Sequence, residues 1–210
     1  MSHNSRKPRP KTNKVARPGN LKQSSAGEVR IIGGNFRGRK LPVLNAEGLR
    51  PTSDRVKETL FNWLQFEIAG ASCLDVFAGS GALSFEAISR GAKQATLLEL
   101  NKQNAKQLQQ NLKALAVSNA VVEQIDSLQW LNKPCEQAYD LVFLDPPFHK
   151  ELMQTAVDLL FENGYLSDQA WLYLEQEKQL DWPILPEGWV NYREKNTSQV
   201  KFGLFKKDVK

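Results

Sequence analysis

The chain has 210 residues, of which 41% are apolar and 24% charged, with a formal net charge of +5. This is one domain of ordinary size, with enough apolar side chains for a sizeable core. Two cysteines, Cys73 and Cys135, give neither a disulfide framework nor metal-ligand spacing. No apolar run reaches the length of a membrane span, and the basic N-terminus lacks the apolar stretch of a secretory signal, so a cytoplasmic protein is expected.

Position tells more than net charge. Residues 1–27 hold seven Lys/Arg and no acid, residues 28–57 carry +4, and the remainder carries −6. Residues 1–27 have almost nothing to bury and read as a disordered basic tail of the kind that binds nucleic acid. A solvated tail that only aids solubility is the alternative. Residues 28–50 read as an N-terminal β-hairpin extension. Val29–Ile32 is its first strand, residues 33–38 are turn material, and Arg39–Val43 returns. The hairpin displays Arg37, Arg39 and Lys40. After Arg50 and Pro51, Thr52 or Ser53 is placed to cap a helix whose apolar face is Val56, Leu60, Trp63 and Leu64. Arg37, Arg39, Lys40, Arg50 and Arg55 are candidates for nucleic-acid phosphates, against a solvated basic face.

From Cys73 strands and helices alternate. Strands are expected at Cys73–Phe77, Ala95–Leu100, Ala120–Ile125, Tyr139–Leu144 and Trp171–Glu175. Helices are expected over Ala82–Arg90, after a cap at Asn101 with Ala105, Leu108, Leu112 and Leu115 inward, and around Leu152, Ala156, Leu159 and Leu160. Trp189–Arg193 and Gln199–Phe205 read as a closing antiparallel pair. Such alternation implies an α/β fold with a mostly parallel sheet covered on both faces.

The first strand runs into Asp75-Val76-Phe77-Ala78-Gly79-Ser80-Gly81. Gly79 and Gly81 allow a tight turn and close approach of a ligand, which is where doubly wound folds bind nucleotide-type cofactors. Glu99 ends the next strand and suits a ribose diol. Asp126 ends the third and can accept from an adenine amino group, with Ser127 beside it. Asp75 either places a ligand ammonium or caps the loop amides. Each acid alone reads as a surface residue at a strand end; together with the loop they form a set. The dinucleotide fingerprint is only partial, because Ser84 stands at its third glycine. S-adenosylmethionine fits the set better than a nicotinamide dinucleotide, and Asp75, Phe77, Gly79, Gly81, Glu99, Asp126 and Ser127 are its candidate contacts.

Asp145-Pro146-Pro147-Phe148 decides between them. Two prolines stop the buried strand Tyr139–Leu144 and leave a carboxylate, a stiffened carbonyl and a ring at its carboxyl end. Hydride transfer needs no such turn, whereas methylation of an exocyclic amine does. The nitrogen lone pair is delocalised into the base, and two acceptors (the Asp145 carboxylate and the Pro146 carbonyl) can hold both N–H groups and aim the lone pair outward. Phe148 stacks on the base, worth roughly 1–3 kcal/mol. The bland alternative is a capped strand end. His149 is set aside as a solvent-facing residue opening a helix.

These motifs resemble the RsmD family of bacterial ribosomal RNA guanine-N2 methyltransferases, within the class I S-adenosylmethionine-dependent methyltransferases. Arg30-Ile31-Ile32-Gly33-Gly34, Arg37-Gly38-Arg39-Lys40-Leu41, Leu49-Arg50-Pro51-Thr52, residues 54–62, the glycine loop and the Asp145–Phe148 turn carry the resemblance, over about residues 28–206. It implies a Rossmann-like sheet, mostly parallel with an antiparallel C-terminal strand, within a methyltransferase domain over residues 51–210, preceded by a small N-terminal β-hairpin and helix. It also implies a catalytic set of Asp145, Pro146 and Phe148. The expected substrate is 16S rRNA in the 30S subunit or its assembly intermediate, with no membrane partner and a monomeric enzyme. Rival readings are adenine-N6 or cytosine-N4 methylation of DNA, methylation of a protein glutamine, a non-catalytic ribosome-assembly factor, and a nucleotide-dependent oxidoreductase.

Overall fold

A computed structural model describes Met1, residues 27–44 and residues 52–208. The expected disordered tail falls mostly outside the described residues, as does Arg50. The hairpin is β1 (Gly27–Arg30) and β2 (Lys40–Val43), antiparallel and separate from the main sheet. Helix α1 (Asp54–Trp63) follows, and of the two possible caps Ser53 serves, its side chain accepting from the Val56 N–H.

The main sheet then builds from β3 (Ser72–Asp75), α2 (Ala82–Ser89), β4 (Gln94–Glu99), α3 (Lys102–Ala114), β5 (Ala120–Gln124), α4 (Ser127–Leu131), β6 (Tyr139–Leu144), α5 (Met153–Glu162), β7 (Leu166–Glu177), β8 (Trp189–Asn196) and β9 (Val200–Lys207). Its strand order is β5-β4-β3-β6-β7-β9-β8. The pairs from β5 through β7 are parallel, and β9 runs antiparallel to both β7 and β8. The C-terminal strand is thus the reversed one, as the resemblance implied. One face of the sheet packs on α1, α2 and α3 through Leu60, Phe85, Leu108, Phe143 and Tyr173. The other packs on α4 and α5 through Leu131, Val142, Val157 and Leu160.

Several boundaries differ from expectation for identifiable reasons. The first hairpin strand stops at Arg30 rather than Ile32, because the Ile32 N–H leaves the ladder and donates to Glu86 Oε2 at 2.8 Å. Helix α4 has no counterpart in the expectations; it is one short turn started by the Asp126 cap. Strand β7 begins five residues before Trp171. Its extra length pairs Leu166 with Tyr139 across a register irregularity, and Ser167 donates to Asp140 Oδ1 at 3.0 Å. Helix α5 begins at Met153, so His149 lies in a turn rather than opening the helix.

Candidate functional site

A cavity of about 1400 Å³ opens at the carboxyl ends of the parallel strands. Its wall carries Asp75, Phe77, Gly79, Glu99, Asp126 and Ser127 on one side and Asp145, Pro146, Pro147 and Phe148 on the other. Arg55, at the N-terminal turn of α1, also lines it. The two groups of residues proposed separately from the sequence therefore share one space. Gly81 lies behind the wall, where it caps α2 with φ +74°, and a Cβ there would meet the Phe85 ring at 2.5 Å and Leu108 at 2.7 Å. Only glycine satisfies that backbone and that packing together.

The acids of the loop side are held by the backbone they end. Glu99 accepts from the Gly79 N–H at 2.9 Å and the Asn101 N–H at 2.7 Å. Burial pushes its carboxyl above the ordinary value, while those N–H donors and the Asn104 side chain pull it back. A carboxylate offers about four acceptor positions, so three donors leave Glu99 about one for a hydroxyl while its shape is fixed. Asp75 is 3% exposed and accepts from the Ser84 hydroxyl at 2.6 Å. Backbone N–H groups of Ser84 and Phe77 also donate to it, so the loop-capping reading of Asp75 is realised. Ser84, the residue that broke the dinucleotide fingerprint, thus anchors the first acid of the set. Asp126 caps α4, its Oδ1 accepting from the Gln129 N–H at 3.0 Å. The Ser127 hydroxyl donates to the Val76 carbonyl and ties α4 to the strand end.

On the other side, Pro146 is buried, Pro147 exposed, and Asp145 and Phe148 half-buried. The turn is followed by two non-glycine residues in the left-handed region, His149 with φ +60° and Glu151 with φ +53°. Strained backbone of this kind persists where its surroundings hold it. Here Glu177 Oε1 accepts from the His149 N–H at 2.9 Å, clamping the turn to the end of β7. The His149 side chain is 84% exposed, as expected for a solvent-facing residue.

The hairpin residues are not on the cavity wall. Arg37 is exposed, Arg39 donates to the Ala114 carbonyl at 3.2 Å, and Lys40 pairs with Glu28 at 2.9 Å. Two of the expected phosphate contacts therefore already have intramolecular partners, although exposed pairs of this type are weak and exchangeable. The hairpin itself is locked down. Buried Lys57 donates to the Arg30 carbonyl and pairs with Asp54 at 2.9 Å, the Ser89 hydroxyl donates to the Gly33 carbonyl, and Asn111 donates to the Pro42 carbonyl at 3.0 Å.

Residues 29–206 match the family model described as "Conserved hypothetical protein 95". The chain is 54% identical over 186 residues to ribosomal RNA small subunit methyltransferase D of Haemophilus influenzae, covering 87% of this chain and 95% of that protein. It belongs to the RsmD family. The Escherichia coli ribosomal RNA small subunit methyltransferase D is 46% identical, over 89% of this chain and 93% of its own length. Among solved structures, the yhhF methyltransferase of Escherichia coli superposes with a TM-score of 0.80 at 43% identity, covering 88% of this chain and all of that one. The HI0767 methylase of Haemophilus influenzae gives 0.76 at 50% identity, over 87% of this chain.

Within this RsmD-family fold, two cavity residues escaped the sequence reading. Glu175, on β7, is 6% exposed yet lines the cavity beside the Asp145 turn. Lys195, near the β8–β9 turn, also lines it, level with Glu175 because both pair with Phe202. Neither carries a local motif. Each is brought to the site by strand order, which a single sequence does not display.

Proposed function

We propose that this chain transfers a methyl group from S-adenosylmethionine to the exocyclic N2 amine of a guanine in 16S rRNA, acting in the cytoplasm as a monomer on the small ribosomal subunit or its assembly intermediate. The carrying observation is that the Asp145–Phe148 turn and the Gly79, Glu99 and Asp126 set face one cavity. The names of the relatives support the substrate class.

The cavity fits the donor on the chemistry of its walls. It has an acid with spare acceptor capacity at Glu99, a second acid at Asp126 and, in the glycine loop, Gly79 on the wall with φ +51°. In this assignment Glu99 accepts from a ribose hydroxyl, Asp126 accepts from the adenine amine, and Asp75, besides capping the loop, adds its charge toward the ammonium. Phe77, Gly79 and Ser127 complete the cradle. When bound, S-adenosylmethionine supplies a methyl group made electrophilic by the sulfonium.

The remaining work belongs to the turn. Asp145 and the Pro146 carbonyl accept the two N2 hydrogens and turn the lone pair toward the donor side. Phe148 stacks on the unpaired base, whose extraction costs a few kcal/mol. The amine becomes acidic only as it is alkylated, so Asp145 or water takes the proton late. Alignment of this kind can supply roughly 7–11 kcal/mol of barrier lowering. Residues 28–50 act as an RNA-docking extension on the methyltransferase domain of residues 51–210, with Arg37, Arg39, Lys40, Arg50 and Arg55 toward phosphates and the tail of residues 1–27 adding charge. The decisive experiment incubates the protein and donor with small subunits from cells lacking this gene, then digests the RNA and weighs its nucleosides. A gain of N2-methylguanosine is expected. Methyl on N6 of adenine or N4 of cytosine, or none in RNA, overturns the reading.

A further inference from the structure

Strands β6 and β7 run parallel, and their last ladder pair is Leu144 with Leu174. One residue further, Asp145 follows the end of β6 while Glu175 continues in β7, where it pairs with Phe202, so the two lie at the ordinary spacing of about 4.8 Å between neighbouring strands. Both line the cavity. Two carboxylates at one place are costly unless something needs them, because each raises the cost of charging the other.

Glu175 is also fixed. Tyr173, two residues earlier and so on the same face, donates its hydroxyl to Glu175 Oε2 at 2.6 Å. The Tyr173 ring is fully buried, 6.2 Å from Phe143 and 6.3 Å from Phe202. Burial, then the charges of Glu175 and Asp145, push the Tyr173 hydroxyl far above its usual acidity range. The hydroxyl therefore stays a donor toward Glu175.

Adjacent acceptors select a substrate edge with adjacent donors. Guanine has one, the N1–H beside the N2 amine. Adenine and cytosine carry a bare ring nitrogen beside the amine, and a glutamine amide carries a carbonyl there. Each would set a lone pair against the Glu175 carboxylate. We propose that Glu175 is the guanine-selecting residue of this site, accepting the N1–H while Asp145 and the Pro146 carbonyl hold N2. This rests on the methyl-transfer reading above.

The test replaces the target guanine with 2-aminopurine in 16S RNA assembled into small subunits. That base keeps the amine at the same carbon but has a bare N1. The wild-type enzyme should prefer guanine by at least about 100-fold in kcat/KM, since a site built for a donor rejects the analogue that lacks it. Glu175→Gln offers an amide N–H to the bare nitrogen, and the preference should fall to within about tenfold. Glu175→Ala should lower the guanine rate at least about tenfold while leaving the 2-aminopurine rate within about threefold. S-adenosylhomocysteine binding reports whether each variant is folded. A residue that merely supports the fold would lower both rates together, and that result overturns the assignment, as does a wild-type preference below about tenfold, which needs no variant at all. A wild-type enzyme that methylates neither base overturns the methyl-transfer reading itself, and this assignment with it.

Discussion

Asp75 illustrates how a buried acid at a strand end carries two signs of energy at once. Burial raises its pKa to about 6, the hydroxyl and N–H of Ser84 and the N–H of Phe77 oppose the shift, and the charge of Glu99 adds to it. Between the ordinary value of 3.8 and about 6 the folded protein holds a proton that the unfolded chain has lost. Stability from this group is therefore full below the lower value and declines as pH rises through the upper one. Asp75→Asn removes the titration. Melting temperatures of the variant and the wild type, compared from pH 4 to pH 8, should show a difference that moves in favour of the variant up to about pH 6 and then levels off. A pH-independent difference would remove Asp75 from the titrating set. At Asp145 the expectation is kinetic. Asp145→Ala should lower methyl transfer by at least about 100-fold, the scale of losing one preorganised polar partner at a reacting centre. S-adenosylhomocysteine affinity should stay within about threefold of wild type, and a normal turnover number would end the catalytic assignment. That Glu99 and Asp145 would reach one cavity was legible in the chain because each is an acid at the end of an apolar run. Glu175 also ended an expected strand, but its meaning depends on β6 lying beside β7, which no short segment of sequence encodes.

At the scale of elements, the hairpin and α2 form one device. Gly34 has φ +71°, and a Cβ there would fall 1.8 Å from the Ser89 carbonyl oxygen, while one on Gly33 would strike the Arg90 guanidinium at 2.3 Å. Arg90 cannot easily yield, because it pairs with fully buried Glu86 at 2.7 Å and lies 5.2 Å from the centre of the Phe61 ring. Gly38 also has positive φ, at +83°, but nothing stands within 4 Å of its missing Cβ. The pair separates backbone strain from docking. Gly38→Ala should cost about 1–2 kcal/mol, the left-handed penalty alone. Gly34→Ala should cost about 2–4 kcal/mol, because a backbone carbonyl must move as well. Urea unfolding midpoints decide it, and equal losses would mean the hairpin is not seated on α2 as described. The pattern of strands and helices was legible because apolar runs and caps are local; Ser53 and Asn101 do cap their helices. The ends of β1 and β7 were not, since the first is set by Glu86 on a distant helix and the second by pairing with Tyr139.

Over the whole molecule, the charge is divided between the two ends of the chain, yet the fold brings part of the acidic portion's positive charge to the cavity. On the face of the sheet that packs on α1, Lys195 pairs in register with Phe202, Arg193 with Leu204, and Lys206 with Trp171. Side chains in register share a face, so the three cations follow one line from the cavity rim along the β8 edge. Lys206 stands 5.0 Å from the centre of the Trp171 ring and 4.6 Å from that of Tyr192, and Arg193 stands 5.2 Å from Tyr192. Cations seated on aromatic rings remain charged and keep their free donors available to phosphate. Such a line of cations starting at the cavity rim is a candidate track for an RNA backbone. Each phosphate contact releases counterions and contributes about 0.7 to 0.9 to the slope of log affinity against log salt. Replacing Lys195 and Arg193 together by Ala should therefore make the slope for small-subunit binding shallower by about 1.5, with S-adenosylhomocysteine binding unchanged. Replacing Arg37 alone should remove about half as much. An unchanged slope in the double variant would confine RNA recognition to the hairpin side and leave the β8 edge as an ordinary charged strand edge that discourages strand-to-strand association.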